Sequence, residues 1–118
     1  MDFNQFTIKA QEVMNQAVQI ANGNNQQAIE TGHILKALFE KADSITSFLL
    51  KKLDVNISGV QAALDRIINT YPKVSGGEAY LSSNANKAMQ EAVNQIKTFG
   101  DQYVSVEHLL LGIFKSND

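Results

Sequence analysis

Residues 10–39 read AQEVMNQAVQIANGNNQQAIETGHILKALF, and residues 85–114 read ANKAMQEAVNQIKTFGDQYVSVEHLLLGIF. The second stretch is the first displaced by 75 positions without a gap. Ala10, Met14, Ala17, Val18, Gln27, His33, Leu35 and Phe39 meet Ala85, Met89, Ala92, Val93, Gln102, His108, Leu110 and Phe114. Apolar-for-apolar exchanges surround them: Phe6/Leu81, Ile29/Val104, Ile34/Leu109 and Leu38/Ile113. The shared positions are those a core would use, so the chain reads as one unit used twice and folded pseudo-symmetrically.

Periodicity within the unit is helical. Ala10, Val13, Met14, Ala17, Val18 and Ala21 recur three or four residues apart, behind Thr7 as N-cap. Asn22-Gly23 ends this helix. A polar connector follows over 24–30, then Thr31 caps a second helix with Ile34, Leu35, Leu38 and Phe39 inward. Asp43 or Ser44 opens a third helix carrying Ile45, Phe48, Leu49 and Leu53. Ser58 caps a fourth with Val60, Leu64, Ile67, Ile68 and Tyr71 on one face, stopped by Pro72. Residues 73–80 form a flexible Gly76-Gly77 linker. Ser82 or Ser83 caps helix five, and Ser105 caps helix six after a turn at Gly100-Asp101. No segment alternates with period two. The expected fold is all-α, one domain, with repeat one at about 6–71, a linker at 72–80 and repeat two over 81–118. Repeat two lacks counterparts to helices three and four, so its last helices are expected to be missing. Exposed apolar surface on that side is then expected as a consequence.

Composition limits the chemistry. The chain has 118 residues, 44% of them hydrophobic, enough for one packed core. It has no cysteine, which removes disulfides, thiolate catalysis and Cys-type zinc sites. Ten Lys and Arg against 12 Asp and Glu give a net charge of −2 with no basic cluster, so no nucleic-acid footprint is present. No apolar run reaches the roughly 18 residues of a membrane span. MDFNQFTIKA has neither signal-peptide nor presequence character, which makes cytoplasmic placement the expectation. His33 and His108 occupy equivalent first-turn positions and read as structural bonds to the connectors rather than as a metal or acid–base pair. Met14 and Met89 read as core filling. Glu107 suits the dipole at the start of helix six. Ile8 points away from the core stripe of helix one. Leu111 lies off the stripe of helix six, where the equivalent residue in copy one is Lys36. An exposed leucine in place of a lysine fits a shallow apolar patch for a peptide.

FTIKAQEVMNQA…TGHILKALF and LSSNANKAMQEA…SVEHLLLGIF resemble the two units of the N-terminal domain of the Clp AAA+ ATPases, over essentially the whole chain. YPKVSGGEAYLSS is most similar to the version in the ClpB disaggregases. The resemblance implies a non-catalytic module with no cofactor of its own. ATP and Mg belong to the ATPase modules of the parent, a homohexamer with a coiled-coil middle domain working with the Hsp70 system in the stress response. The isolated domain is expected to be a monomer that captures unfolded or aggregated polypeptide in a shallow apolar groove. Family position implies Thr7, Asp101 and Glu107 as its polar members; Ile8 and Leu111 join them from the off-stripe argument. The alternative is an adaptor-docking domain of a ClpC- or ClpA-type unfoldase serving a protease. ClpC-type domains carry glutamate in both copies of a TEH motif and use the paired sites for phosphoarginine. Here copy one has Gly32 at that position and copy two keeps Glu107. That departure speaks against two-site phosphoarginine recognition.

Overall fold

Two short parallel pairings tie the two copies of the repeat together. They are visible in the computed structural model, which describes residues 4–74, 76–100 and 102–116 (98 and 99 in backbone only). Phe6 bridges Val104, and Ala28–Ile29 (β1) runs parallel to Tyr80–Leu81 (β2). Adding 75 to Phe6 gives Leu81, and adding 75 to Ile29 gives Val104. Each copy therefore lends the strand that precedes its first helix to the strand that precedes the other copy's second helix. The bonds repeat as well. Thr7 N–H donates to the Val104 carbonyl at 2.9 Å, and Ser82 N–H to the Ile29 carbonyl at 3.0 Å. Parallel neighbours need a long crossover between them; the helices between residues 30 and 79 supply it for β1 and β2, and those between residues 7 and 103 for Phe6 and Val104. Two-residue strands carry too little alternation to be read from sequence, so these pairings are an addition to the all-α expectation.

Six helices surround this seam: α1 (Ile8–Gly23), α2 (Thr31–Lys41), α3 (Asp43–Lys52), α4 (Ile57–Thr70), α5 (Ser83–Phe99) and α6 (Val106–Ser116). The caps follow local chemistry. Thr7 and Ser82 accept from the amides of Ala10 and Ala85, both at 3.1 Å, which satisfies orphan donors of the first turn. Three expected caps move. Glu30, not Thr31, is the N-cap of α2; Ala42 precedes α3, with Asp43 already helical. Asn56, not Ser58, caps α4, its side chain accepting from Gly59 N–H at 3.1 Å. Helix α1 also runs through Gly23. The left-handed residue that turns the chain is Asn25 (φ 56°), and its equivalent after α5 is Gly100 (φ 70°).

The main core contains the stripes of α1, α2, α5 and α6. Met14, Ala17, Ile34, Leu38, Ala88, Ala92 and Leu109 are fully buried, and Met89 nearly so. Gly112 lets α6 approach α5: a Cβ there would run into the Ala88 carbonyl and stand 3.1 Å from the Ala92 amide nitrogen. A smaller cluster of Phe39, Leu50, Leu64 and Ile68 joins α4 to α2. Ile67, Phe48 and Leu53 were expected on inward faces but are exposed. Helix α3 packs on α2 and α6 through Ile45 and Leu49, and α4 packs on α2 and α3, so Phe48, Leu53 and Ile67 fall outside these contacts. The expected free linker is also held down. Val74 N–H donates to the Asn25 carbonyl (2.9 Å), Lys73 Nζ to the Asn24 carbonyl (3.1 Å) and Gln27 Nε2 to the Glu78 carbonyl (2.9 Å). Connector 24–30 offers unpaired backbone groups, and the linker satisfies them.

Candidate functional site

The Phe6–Val104 bridge sets the start of α1 beside the entry to α6. Val104 N–H donates to the Gln5 carbonyl (2.7 Å) while its own carbonyl takes Thr7 N–H. Phe6 and Val104 turn inward and are buried, leaving their neighbours at the surface. Four of the five residues expected at a binding site lie on this seam or on α6. Thr7 is half-buried, and its hydroxyl oxygen already serves as the N-cap of α1. Its O–H hydrogen is then the group left to donate outward. Ile8 is 78% exposed, the most exposed large apolar side chain of the described residues. Glu107 is exposed in the first turn of α6. Leu111, 39% exposed, stands one turn further along the same face. Asp101 lies outside the described residues. Sequence reading missed Tyr103, 55% exposed next to buried Val104; its copy-one equivalent is Ala28, so the repeat carries no trace of it.

The repeat also shows what Leu111 corresponds to. Its equivalent Lys36 pairs with Asp65 of α4 at 3.0 Å. Phe114, also 39% exposed, corresponds to Phe39, which is 7% exposed beneath Leu64 and Ile68. The face of α6 bearing Leu111 and Phe114 is therefore the equivalent of the face of α2 that α4 covers. Ile8 and Tyr103 belong to the seam itself.

Both histidines bond to the connectors before their helices. Glu30 N–H donates to His33 Nδ1 and Ser105 N–H to His108 Nδ1, each at 2.9 Å. With Nδ1 accepting, the His33 proton sits on Nε2 and is donated to Gln26 Oε1 at 2.6 Å. Gln26, 2% exposed, passes the chain on by donating to the Ile68 carbonyl at 2.6 Å. Burial, helped by the Lys36 ammonium, holds the His33 pKa down to about 4. Among the described residues no three His, Cys, Asp or Glu are grouped to hold a metal ion.

The equivalent seam in copy one has a different character. Ser82 and Ser83 stand for Thr7 and Ile8, Glu30 for Ser105, and Gly32 for Glu107. Tyr71 lies over it. A Cβ on Gly32 would be 2.5 Å from the Tyr71 phenol oxygen, which explains the glycine where copy two has Glu107. The Tyr71 and His33 rings are 5.1 Å apart and tilted by 58°. Burial raises the Tyr71 pKa, the Glu30 carboxylate raises it further, and the Gly32 N–H opposes both.

Comparison with known proteins agrees with this architecture. Residues 5–118 match the model of the Clp repeat (R) N-terminal domain. The chaperone protein ClpB of Bacteroides thetaiotaomicron is 43% identical over 113 residues, covering 96% of this chain and 13% of that protein. The chain thus spans about an eighth of the curated relatives it matches. Among solved structures, the Hsp104 N-terminal domain from Candida albicans superposes with a TM-score of 0.84 at 20% identity, over 96% of this chain and 75% of that one. A ClpV N-domain solved in complex with a VipB peptide superposes with a TM-score of 0.78 at 16% identity, over 94% and 68%. The repeat, the exchanged strands and the match over nearly the whole sequence lead to one conclusion: this chain belongs to the Clp N-terminal repeat-domain family, and its curated relatives include ClpB chaperones.

Proposed function

We propose that the domain captures unfolded or aggregated polypeptide for an ATP-driven disaggregase, at the seam where α1 and α6 begin. The observation that carries this reading is the pairing of exposed apolar side chains, Ile8 and Tyr103, with Thr7 and Glu107 on one bonded backbone unit. An unfolded segment offers apolar side chains and unpaired amides. Ile8 and Tyr103 take the former without reading sequence. The Glu107 carboxylate accepts from backbone N–H or basic side chains, and Asp101 is assigned the same role. The Thr7 hydroxyl donates to a client carbonyl.

Capture of this kind is weak, because the client loses chain entropy on binding. Weakness suits a hand-over module. Six domains on a homohexameric parent would offset it through effective concentration. ATP and Mg chemistry, and any contact with the Hsp70 system, are assigned to the remainder of the longer protein, and the domain itself is assigned binding rather than catalysis in the cytoplasm. Adaptor docking is the second reading, favoured by the ClpV N-domain, which was solved with a defined VipB peptide.

An NMR titration of the labelled chain with reduced, carboxymethylated α-lactalbumin, beside native α-lactalbumin, tests the proposal. Shifts at Thr7, Ile8, Tyr103 and Glu107 with the unfolded form alone support capture. Shifts confined to Leu111, Phe114 and their neighbours move the binding off the seam, further along α6. No shift at millimolar client refutes capture and leaves adaptor docking.

A further inference from the structure

We infer that Tyr71 is a built-in stopper for a second polypeptide-binding cavity, the repeat-equivalent of the α1–α6 seam, and that the domain has one open site because this ring is in place. The inference rests on the capture reading above. The starting observation is a cavity of about 260 Å³ at the start of α2 and α5, with Tyr71, Pro72 and Tyr80 on its apolar side and Glu30, Ser82 and Ser83 on its polar side. Shifted by 75 positions, Ser82, Ser83 and Glu30 are Thr7, Ile8 and Ser105. The cavity therefore stands where symmetry puts the copy of the proposed capture site. It also has the same kind of lining: apolar walls, hydroxyls at a helix start and one carboxylate.

The chain itself supplies one wall, through Tyr71, Pro72 and Val74. Helix α4 ends at Tyr71, whose backbone is extended (φ −66°, ψ 144°) before Pro72. The segment then runs along connector 24–30 and is bonded to it like a bound peptide. Gln26 Nε2 reaches the Tyr71 carbonyl at 3.4 Å, Lys73 Nζ the Asn24 carbonyl at 3.1 Å and Val74 N–H the Asn25 carbonyl at 2.9 Å. The Tyr71 ring projects over Gly32, the only residue type that leaves room for it. An extended segment held by one main-chain bond and two side-chain bonds to backbone carbonyls, with one aromatic side chain seated at a helix start, is what a captured client would look like. The seat accordingly fits an aromatic side chain with a polar edge. Gly32 in place of a glutamate marks the site as one adapted to an internal occupant.

The test is the lactalbumin titration repeated on Tyr71→Ala. Tyr71 also packs against Leu64 and Ile68, so Tyr71→Leu, which keeps an apolar contact but withdraws the ring from Gly32, is run beside it. The reading is taken from each variant that keeps the amide dispersion of the unchanged chain. Additional client-induced shifts at Gly32, Ser82 and Ser83, with a stoichiometry rising from one client segment to two, are expected. Shifts limited to the α1–α6 seam in a folded variant overturn the stopper. Shifts at Gly32 and Ser83 in the unchanged chain overturn it too, because the cavity would then be open with Tyr71 in place. Binding at Gly32 and Ser83 of a variant, with none at the α1–α6 seam, keeps the stopper and refutes the seam. No binding anywhere refutes both.

Discussion

His33 Nε2 donates to Gln26 Oε1 at 2.6 Å, and both side chains are sealed from water. Protonating this ring would put a second hydrogen on Nδ1, facing the Glu30 N–H that now donates to it. The folded-state pKa of about 4 lies below the ordinary value of 6.5. In the window between them the unfolded chain binds the extra proton and the folded one does not, so stability falls as pH drops from 6.5 towards 4. The loss from this group is at most roughly 3 kcal/mol. Urea midpoints measured at pH 7 and pH 4.5 should separate, and His33→Gln should remove most of that separation. A variant with an unchanged pH profile would show that His33 titrates normally.

Gln26 is the other half of the same argument. Replacing it by Leu leaves the buried His33 Nε2–H without its partner, while the Ile68 carbonyl loses one donor and keeps the Tyr71 N–H at 3.2 Å. Each buried group left unsatisfied costs about 1–3 kcal/mol. Gln26→Leu should therefore destabilise by more than about 1 kcal/mol in denaturant titration, although it adds apolar surface. A neutral or stabilising result would mean that water replaces the amide.

Helices were legible in this sequence because their apolar stripes are long: Ala10 to Ala21 and Ala85 to Ile96 are buried as the period requires. The offset of 75 residues disclosed the symmetry, and with it the equivalence of His33 and His108. Three things were not legible. The exchanged strands rest on two residues each, below any periodic signal. Gln26 sits in a polar connector, where nothing marks one glutamine as buried. The tie-down of 73–80 depends on unpaired carbonyls of 24–30, which belong to backbone geometry and not to residue type. For the site, Thr7, Ile8 and Glu107 were named from family position and an off-stripe face. Tyr103 escaped because its equivalent in copy one is Ala28, so the repeat does not mark it, and a single bridged residue at Val104 carries no alternation that would show the ring facing out.

Two glycines make opposite predictions. A Cβ at Gly112 would meet backbone atoms of Ala88 and Ala92, which cannot move without separating α5 from α6. Gly112→Ala should cost about 1–3 kcal/mol from overpacking, beyond its gain in helix propensity. Gly23 ends α1 with nothing within 4 Å of the same position. Gly23→Ala should raise stability by about 0.5–1 kcal/mol. Thermal melts of the two variants should move in opposite directions, and a shared direction would refute the close α5–α6 approach.

Thr7 and Ser82 make the same capping bond in the two copies, each 3.1 Å from its amide donor. Thr7→Ala and Ser82→Ala should each lower stability by about 1 kcal/mol. They should differ in binding. On the capture reading only Thr7 has a free O–H at an open seam, since the cavity beside Ser82 is partly filled by Tyr71. Calorimetric titration with unfolded lactalbumin should weaken for Thr7→Ala and stay unchanged for Ser82→Ala. Equal effects would mean that the hydroxyl at Thr7 is a cap and nothing more.

Ile8 and Leu111 separate the seam from the outer face of α6. Ile8 is 78% exposed at the seam, Leu111 39% exposed on the face equivalent to the one α4 covers. Fully burying an isoleucine is worth about 1.5–3 kcal/mol. A shallow site that covers half of it gains about 1 kcal/mol, roughly a fivefold change in affinity. Ile8→Ser should therefore weaken client binding about fivefold without lowering the melting temperature, because its side chain leaves no core contact behind. Leu111→Lys restores the residue type of the equivalent position and should change binding less than twofold. The reverse order, with Leu111→Lys the damaging change, would place the capture surface on the side of α6 and leave Ile8 as an incidental exposed residue.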